Sequence, residues 1–443
     1  MSDIATLTIV LAWFSFFLLI GQHVSTVLIG TGVIGVMLWT KPAVLNGLVG
    51  QDIFFTASNY SLSIIPLYLL MAQLLMRGGL VLDLFRVGHR LAGYRRYPLG
   101  LATLLIGGLL GAVSGSGAAS AASLATLAGP ELERVGYSRR YALGIATVSG
   151  SLSAVIPPSL IVIIYGSITS VPIGKLFIGL LGPGLLCIAV YAVCLAIFAE
   201  TTADAAPQDD LSPPRAATET GPDGAGRNAV WASVFLVALL VVVFGGIYGG
   251  IITVGEAGAI GAFTAMAGLM AMRRIGVSDV AASLADSAKI AAMLMLLVIG
   301  AQIFARFLAF SRLPRELLEL ATPYIDQPAL LVAILMLVLF IAGMILESAA
   351  VILLMIPIVL PILEAAEVDL LWFGVLAGFM ISLGLLTPPV GLAAYAAAAA
   401  QRYPVSEVFK PASKFALAAA LIVVGAAVLF PEIVTFLPSH VGN

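Results

Sequence analysis

Charge is what this sequence has least of. Only 10% of its 443 residues are Asp, Glu, Lys or Arg, against 61% hydrophobic, and the mean hydropathy is +1.12. A soluble domain carries about 25% charged residues, so no water-facing shell can be built here and the apolar excess has to face lipid. Metal-ligating and redox-active side chains are also scarce. His23, His89 and His440 stand far apart, and Cys187 and Cys194 share one apolar segment. Two packed small hydrophobes account for the cysteines better than a disulfide framework or a metal site does. Nothing resembles a hydrolytic or redox centre, so neither an enzyme nor a cofactor is expected. A net charge of −2 argues against nucleic acid as a partner.

What is present is apolar length. The runs are long blocks, not alternating ten-residue strands, so the spans are helices and not a barrel. The first run, Ala5 to Gly21, lacks a basic start and a small-residue cleavage site, and a second run follows at once. It reads as a span and not as a signal peptide. Further candidate spans fall at about 24–40 and 61–77, then come long stretches at 98–130 and 141–170, then 176–199. The more polar segment Lys41 to Tyr60 is expected along the interface. The loop carrying Arg77, Arg86, Arg90, Arg95 and Arg96 is a positive-inside signal.

The sharpest break in composition is Thr201 to Asn228, with Pro207, Pro213, Pro214 and Pro222 and a single large aliphatic residue, Leu211. Such a stretch is a solvated linker. It separates two apolar halves, 1–200 and 229–443, that read as related. Pro157-Pro158-Ser159 falls 231 residues before Pro388-Pro389-Val390, and Pro172 to Phe177 falls 232 before Pro404 to Phe409. The offset of 231 also lays Ser114 to Gly117 over Ile345 to Ser348. A hairpin that dips in and returns leaves an odd number of crossings per half, roughly five, which inverts the second half. The expected fold is therefore an all-α polytopic membrane protein of two inverted-topology repeats. Each would hold a re-entrant helical hairpin (about 98–130 and 328–365) and a broken helix (about 141–170 and 371–400).

Four motifs carry chemistry. In Gly111 to Gly117, glycine and serine either break the helix at a hairpin tip or allow close helix contact. In Ser149 to Ser159, two prolines remove two amide donors and push Ile156 out of helical geometry. Carbonyls freed there cost on the order of several kcal/mol each in hydrocarbon, which a bound hard cation with oxygen ligands offsets. The same argument applies at Leu386-Thr387-Pro388-Pro389-Val390-Gly391. Its neighbouring hairpin tip contains Glu347, a lone acid in an apolar stretch and so either an ion or substrate ligand or a hydrogen-bond anchor. Last, Glu256 opens a helix after Thr253, where an acid favours the helix dipole.

At these positions the sequence resembles the large membrane subunit of tripartite ATP-independent periplasmic (TRAP) transporters. The similar stretches include Ile65-Pro66-Leu67, Ser114 to Gly117, Gly136-Tyr137, Ile156 to Ser159, Tyr165-Gly166, Leu176-Phe177 and Gly182-Pro183-Gly184. In the second half they include Glu256-Ala257, Gly343 to Ser348, Pro357, Trp372-Phe373-Gly374 and Thr387 to Gly391. The resemblance implies an elevator-type transporter of the bacterial inner membrane, with sodium as the coupling ion. It also implies a small four-helix membrane subunit and a periplasmic substrate-binding protein that delivers an organic acid. Carried over, one sodium site lies between Ser114, Gly115, Ser116 and Pro157, Pro158, Ser159. The second lies between Glu347, Ser348 and Thr387, Pro388, Pro389, Gly391. The substrate sits between the hairpin tips, at Gly117, Ser153, Ser348 and Thr387. The chain departs from the family pattern at Thr253-Val254-Gly255-Glu256, where Thr-Pro-Thr-Glu is frequent, and at Glu347, where many relatives have Asp. A stand-alone ion-coupled dicarboxylate carrier of similar architecture is the alternative.

Overall fold

Proline and glycine decide where the helices of this chain stop. The computed structural model describes residues 3–39, 50–51, 53–93, 95–114, 116–152, 155–200, 224–311 and 313–441, and among the described residues every regular element is helical. The first half contains α1 (Asp3–Leu19), α2 (Val24–Trp39), α3 (Ile64–Arg77), α4 (Leu80–Ala92), α5 (Arg96–Ser114) and α6 (Gly117–Leu127). It continues with α7 (Gly129–Arg134), α8 (Arg139–Ser151), α9 (Leu160–Thr169), α10 (Ile173–Gly179) and α11 (Leu181–Glu200). The second half contains α12 (Gly224–Tyr248), α13 (Val254–Ala271), α14 (Val277–Phe310), α15 (Leu313–Ile325), α16 (Pro328–Ile345) and α17 (Ser348–Ala365). After these come α18 (Leu370–Gly384), α19 (Leu392–Ala400), α20 (Val405–Ala419), a π-helical turn at Ala420–Val424, α21 (Gly425–Leu429) and α22 (Glu432–His440).

Eight of these helices or helix runs are long and apolar enough to cross a membrane. At 1.5 Å per residue, a 20-residue helix spans about 30 Å of hydrocarbon. Of the interface segment expected at Lys41 to Tyr60, 41–49 and 52 lie outside the described residues, as does 201–223 of the linker; helix α12 begins at Gly224.

Element starts recur along the chain. Helices α5, α6, α8 and α9 begin at Arg96, Gly117, Arg139 and Leu160, and α16, α17, α18 and α19 begin 232, 231, 231 and 232 residues later. Packing follows the same scheme. Helices α5 and α6 lie on α8, and α16 and α17 lie on α18. Across the halves, α6 packs on α19 and α9 packs on α17. Each helix that follows a double proline is thus held by the hairpin of the other half. Among the remaining helices, α2 packs with α14, α3 with α13, and α12 with α4 and α13, while α3 and α4 also touch α5, α14 touches α17 and α20 touches α8.

Small residues allow these approaches. A Cβ on Gly32 would lie 2.8 Å from the Ile303 carbonyl carbon, and one on Gly35 would lie 2.1 Å from the Phe307 ring, so α2 and α14 touch almost backbone to backbone. With lipid outside as apolar as the interior, such close van der Waals packing carries helix association. In the second half, Gly343 of α16 faces the Ile381 carbonyl and Gly384 of α18 faces Gly343, each with 2.6 Å left for a Cβ.

Candidate functional site

The second hairpin and the second break meet through the main chain. Helix α16 ends at Ile345, and Glu347 turns extended (φ −67°, ψ 146°) to cap α17, its carboxylate accepting from the Ala349 amide at 2.9 Å. Helix α18 ends at Gly384. Gly391, in the left-handed region at φ 51°, donates its amide to the Met344 carbonyl at 2.9 Å. Between them lie Thr387, buried and donating its hydroxyl to the Gly384 carbonyl at 2.9 Å, and Pro388-Pro389, whose shared peptide bond is cis. Ser348 is also buried, at 3% exposure, and its Oγ has no hydrogen-bond partner among the described residues. An unsatisfied buried hydroxyl costs about 1–3 kcal/mol, a cost that a ligand at this tip would remove. Four of the site residues expected here, Glu347, Ser348, Thr387 and Gly391, therefore share one small region.

The first break is built alike and differs in exposure. Helix α8 stops at Ser151, the Val155 and Ile156 amides both donate to the Leu152 carbonyl, and Ser159 precedes α9. Pro157-Pro158 is again cis. Ile156 lies against α5, where a Cβ on Gly108 would meet its Cδ1 at 2.2 Å. At the tip, Ser116 caps α6 by accepting from Ala119 and Gly117 is buried. Ser114 closes α5, but its side chain lies outside the described residues, as do Gly115 and Ser153. Pro157, Pro158 and Ser159 are buried, whereas Glu347, Pro388 and Pro389 are exposed. One break is closed over and the other is open to the surface.

Such an arrangement can hold a hard cation. Hydroxyls, a carboxylate and irregular backbone supply oxygen donors only. Glu256 has a structural role: its carboxylate accepts from the Thr253 amide at 2.8 Å while the Thr253 hydroxyl accepts from the Glu256 amide, a capping box at the start of α13.

Sequence reasoning missed a charge network on the arginine-rich face. Asp83 of α4 is buried and bonded to Arg274 of the opposite half, whose guanidinium also reaches the Gly78 carbonyl at 3.2 Å. Six residues on, His89 is buried with Nε2 4.0 Å from the Glu131 carboxylate of α7, which pairs with Arg134 at 3.2 Å. The sequence carried no local signal of it, since the burial of Asp83 and His89 is set by the packing of distant segments. Burial lowers the His89 pKa most, with Glu131 opposing and Arg134 adding to it. The folded protein thus resists His89 protonation, so its stabilising contribution is present above the ordinary histidine value of about 6.5 and is lost as pH falls below it. The melting temperature in detergent should fall as pH drops below about 6.5, and less steeply in His89→Gln. Parallel curves for the two proteins would remove His89 from this account.

The family model described as "Tripartite ATP-independent periplasmic transporter, DctM component" matches residues 11–433. The C4-dicarboxylate TRAP transporter large permease protein DctM of Pseudomonas aeruginosa is 30% identical over 384 residues, covering 86% of this chain and 87% of that one. The ectoine TRAP transporter large permease protein TeaC of Halomonas elongata is 29% identical, covering 85% and 86%. The sialic acid TRAP transporter large permease protein SiaM of Vibrio cholerae is 27% identical, covering 78% of each. Among solved structures, the Alcanivorax borkumensis YdaH transporter aligns with a TM-score of 0.66 over 89% of both chains at 14% identity, a likeness of fold alone.

Proposed function

The chain belongs to the DctM-component family of tripartite ATP-independent periplasmic transporters, and from that membership we propose that it is the large permease subunit of a sodium-coupled organic-acid importer. It is a multi-pass inner-membrane transporter subunit and not an enzyme. Its cargo is handed over by an extracytoplasmic binding protein, and a small membrane subunit completes the assembly. Relatives named for a C4-dicarboxylate and for sialic acid support an organic acid as the cargo.

The observation that carries the mechanism is the reciprocal packing of α6 with α19 and of α9 with α17. Two hairpins and two broken helices so tied form one body that moves as a unit, while the pairs α2–α14 and α3–α13 form the scaffold it slides against. The recurring element starts support two related halves of inverted topology. Sodium sits at both breaks. Its charge compensates the carboxyl group of the cargo and the freed carbonyls, so cargo and ion cross together.

Uptake of labelled organic acids into proteoliposomes containing both membrane subunits tests this reading. Removing either the binding protein or the inward sodium gradient should lower the initial rate roughly tenfold, as expected when about 1.4 kcal/mol of coupling is lost. A rate indifferent to the sodium gradient would refute the coupling, and full uptake without a binding protein would select the stand-alone carrier instead.

A further inference from the structure

On the face that carries the arginine-rich loops, six basic side chains are matched by acids. Arg77 pairs with Asp286, Arg86 and Arg274 with Asp83, Arg134 with Glu131, Arg139 with Glu133 and Lys410 with Glu407. Arg140 and Lys414 pair with no acid among the described residues, and both are exposed. Each is instead laid over an aromatic ring. The Arg140 guanidinium carbon is 5.4 Å from the Tyr141 ring centre, and the Lys414 ammonium is 5.3 Å from that of Phe198. The two rings belong to one aromatic floor. Phe198 lies 6.4 Å from Tyr141 and 5.3 Å from Phe415 between centroids.

Three helices supply that floor: the first turn of α8, the last turn of α11 and the middle of α20. Phe198 is also the last residue of an apolar span that begins at Ile173, which puts that end of the floor at the boundary between hydrocarbon and water, while Phe415 lies within the span Val405–Leu429. Aromatic rings favour this depth, and long basic side chains extend from it toward the headgroups. A cation over an aromatic face is held in place but keeps its full charge. Two such cations on a shared floor near headgroup depth, with no acid paired to them among the described residues, match a phosphate group.

We propose that Arg140 and Lys414, on the floor of Tyr141, Phe198 and Phe415, form a docking site for the headgroup phosphate of an anionic phospholipid. The bound lipid bridges α8, which leads into the first break, to α11 and α20. A basic side chain near a charged membrane surface contributes about 1 kcal/mol, so two together correspond to about 30-fold preference for an anionic over a zwitterionic lipid.

The test is native mass spectrometry of the intact subunit after exchange into phosphatidylcholine vesicles, with or without phosphatidylglycerol. Phosphatidylglycerol should be retained on the wild-type protein in clear excess over its share of the bilayer. R140Q and K414Q should each lower that enrichment about fivefold, and the double variant should abolish it. K410Q, on the same helix but in an ion pair, should leave it unchanged. Unaltered enrichment in the folded double variant overturns the proposal, and so does displacement of the lipid by free glycerol phosphate at millimolar concentration, which would indicate a soluble phosphate ligand.

Discussion

Glu347→Gln should lower sodium-driven uptake at least tenfold and raise the sodium concentration for half-maximal rate by a similar factor, while the protein still folds. The carboxylate at this position has two separable jobs. One is local: an oxygen accepts from the Ala349 amide and caps α17. Glutamine has the same length and keeps an acceptor oxygen, so the cap survives with a loss well below the ~1 kcal/mol of a deleted cap. The other is charge, which only the carboxylate supplies to a cation, and a tenfold change in affinity corresponds to about 1.4 kcal/mol. Glu347→Asp keeps the charge on a shorter stem and should fall between. Glu347→Ala loses both jobs, so it should add a lower melting temperature to the transport defect. Sodium titrations of uptake, read beside melting curves, separate these cases. If Glu347→Gln imports with the wild-type sodium dependence, the residue is a hydrogen-bond anchor only.

The helix ends were the most legible part of this chain because proline acts locally. Two adjacent prolines cannot donate, and they constrain the residue before them. The positions where α8 and α18 end and α9 and α19 begin could therefore be bracketed without knowing what packs around them. Glu347 stood out for the same reason, as one charge in a long apolar stretch. Pairings between distant segments left no such local trace. Nothing in the composition of α6 says that it packs on α19, since both are runs of alanine and other small residues that fit many partners. The Asp83–Arg274 bond joins residues 191 positions apart, and each alone looks like an ordinary surface charge. Exposure was hidden as well. The double prolines read identically in sequence, yet one pair is buried and the other open, a difference that depends on how the whole bundle is set.

Gly391→Ala should reduce uptake at least as far as loss of the Glu347 charge does, although it adds a single methyl group. Three constraints converge on this residue. Its φ of 51° lies in the left-handed region, which costs an L-residue with a Cβ about 1–2 kcal/mol. A Cβ there would lie 2.5 Å from Cε1 of Phe409 and 2.7 Å from the Thr387 carbonyl oxygen. The ring can rotate away, but the carbonyl belongs to the break itself. Overpacking of this kind adds about 1–3 kcal/mol. The backbone cannot move to relieve the strain without losing the bond from the Gly391 amide to the Met344 carbonyl, which ties the break to the hairpin. The combined cost of about 2–5 kcal/mol falls on the geometry of the site more than on the helices around it, so a roughly 30-fold or larger loss of rate is expected. Phe409→Leu in the same chain should recover only the part due to the ring. Gly425→Ala is the control, because that glycine is helical and a Cβ there meets nothing within 4 Å; it should be neutral or slightly stabilising. Wild-type uptake by Gly391→Ala would mean that the join between the second break and its hairpin is not part of the transport machinery.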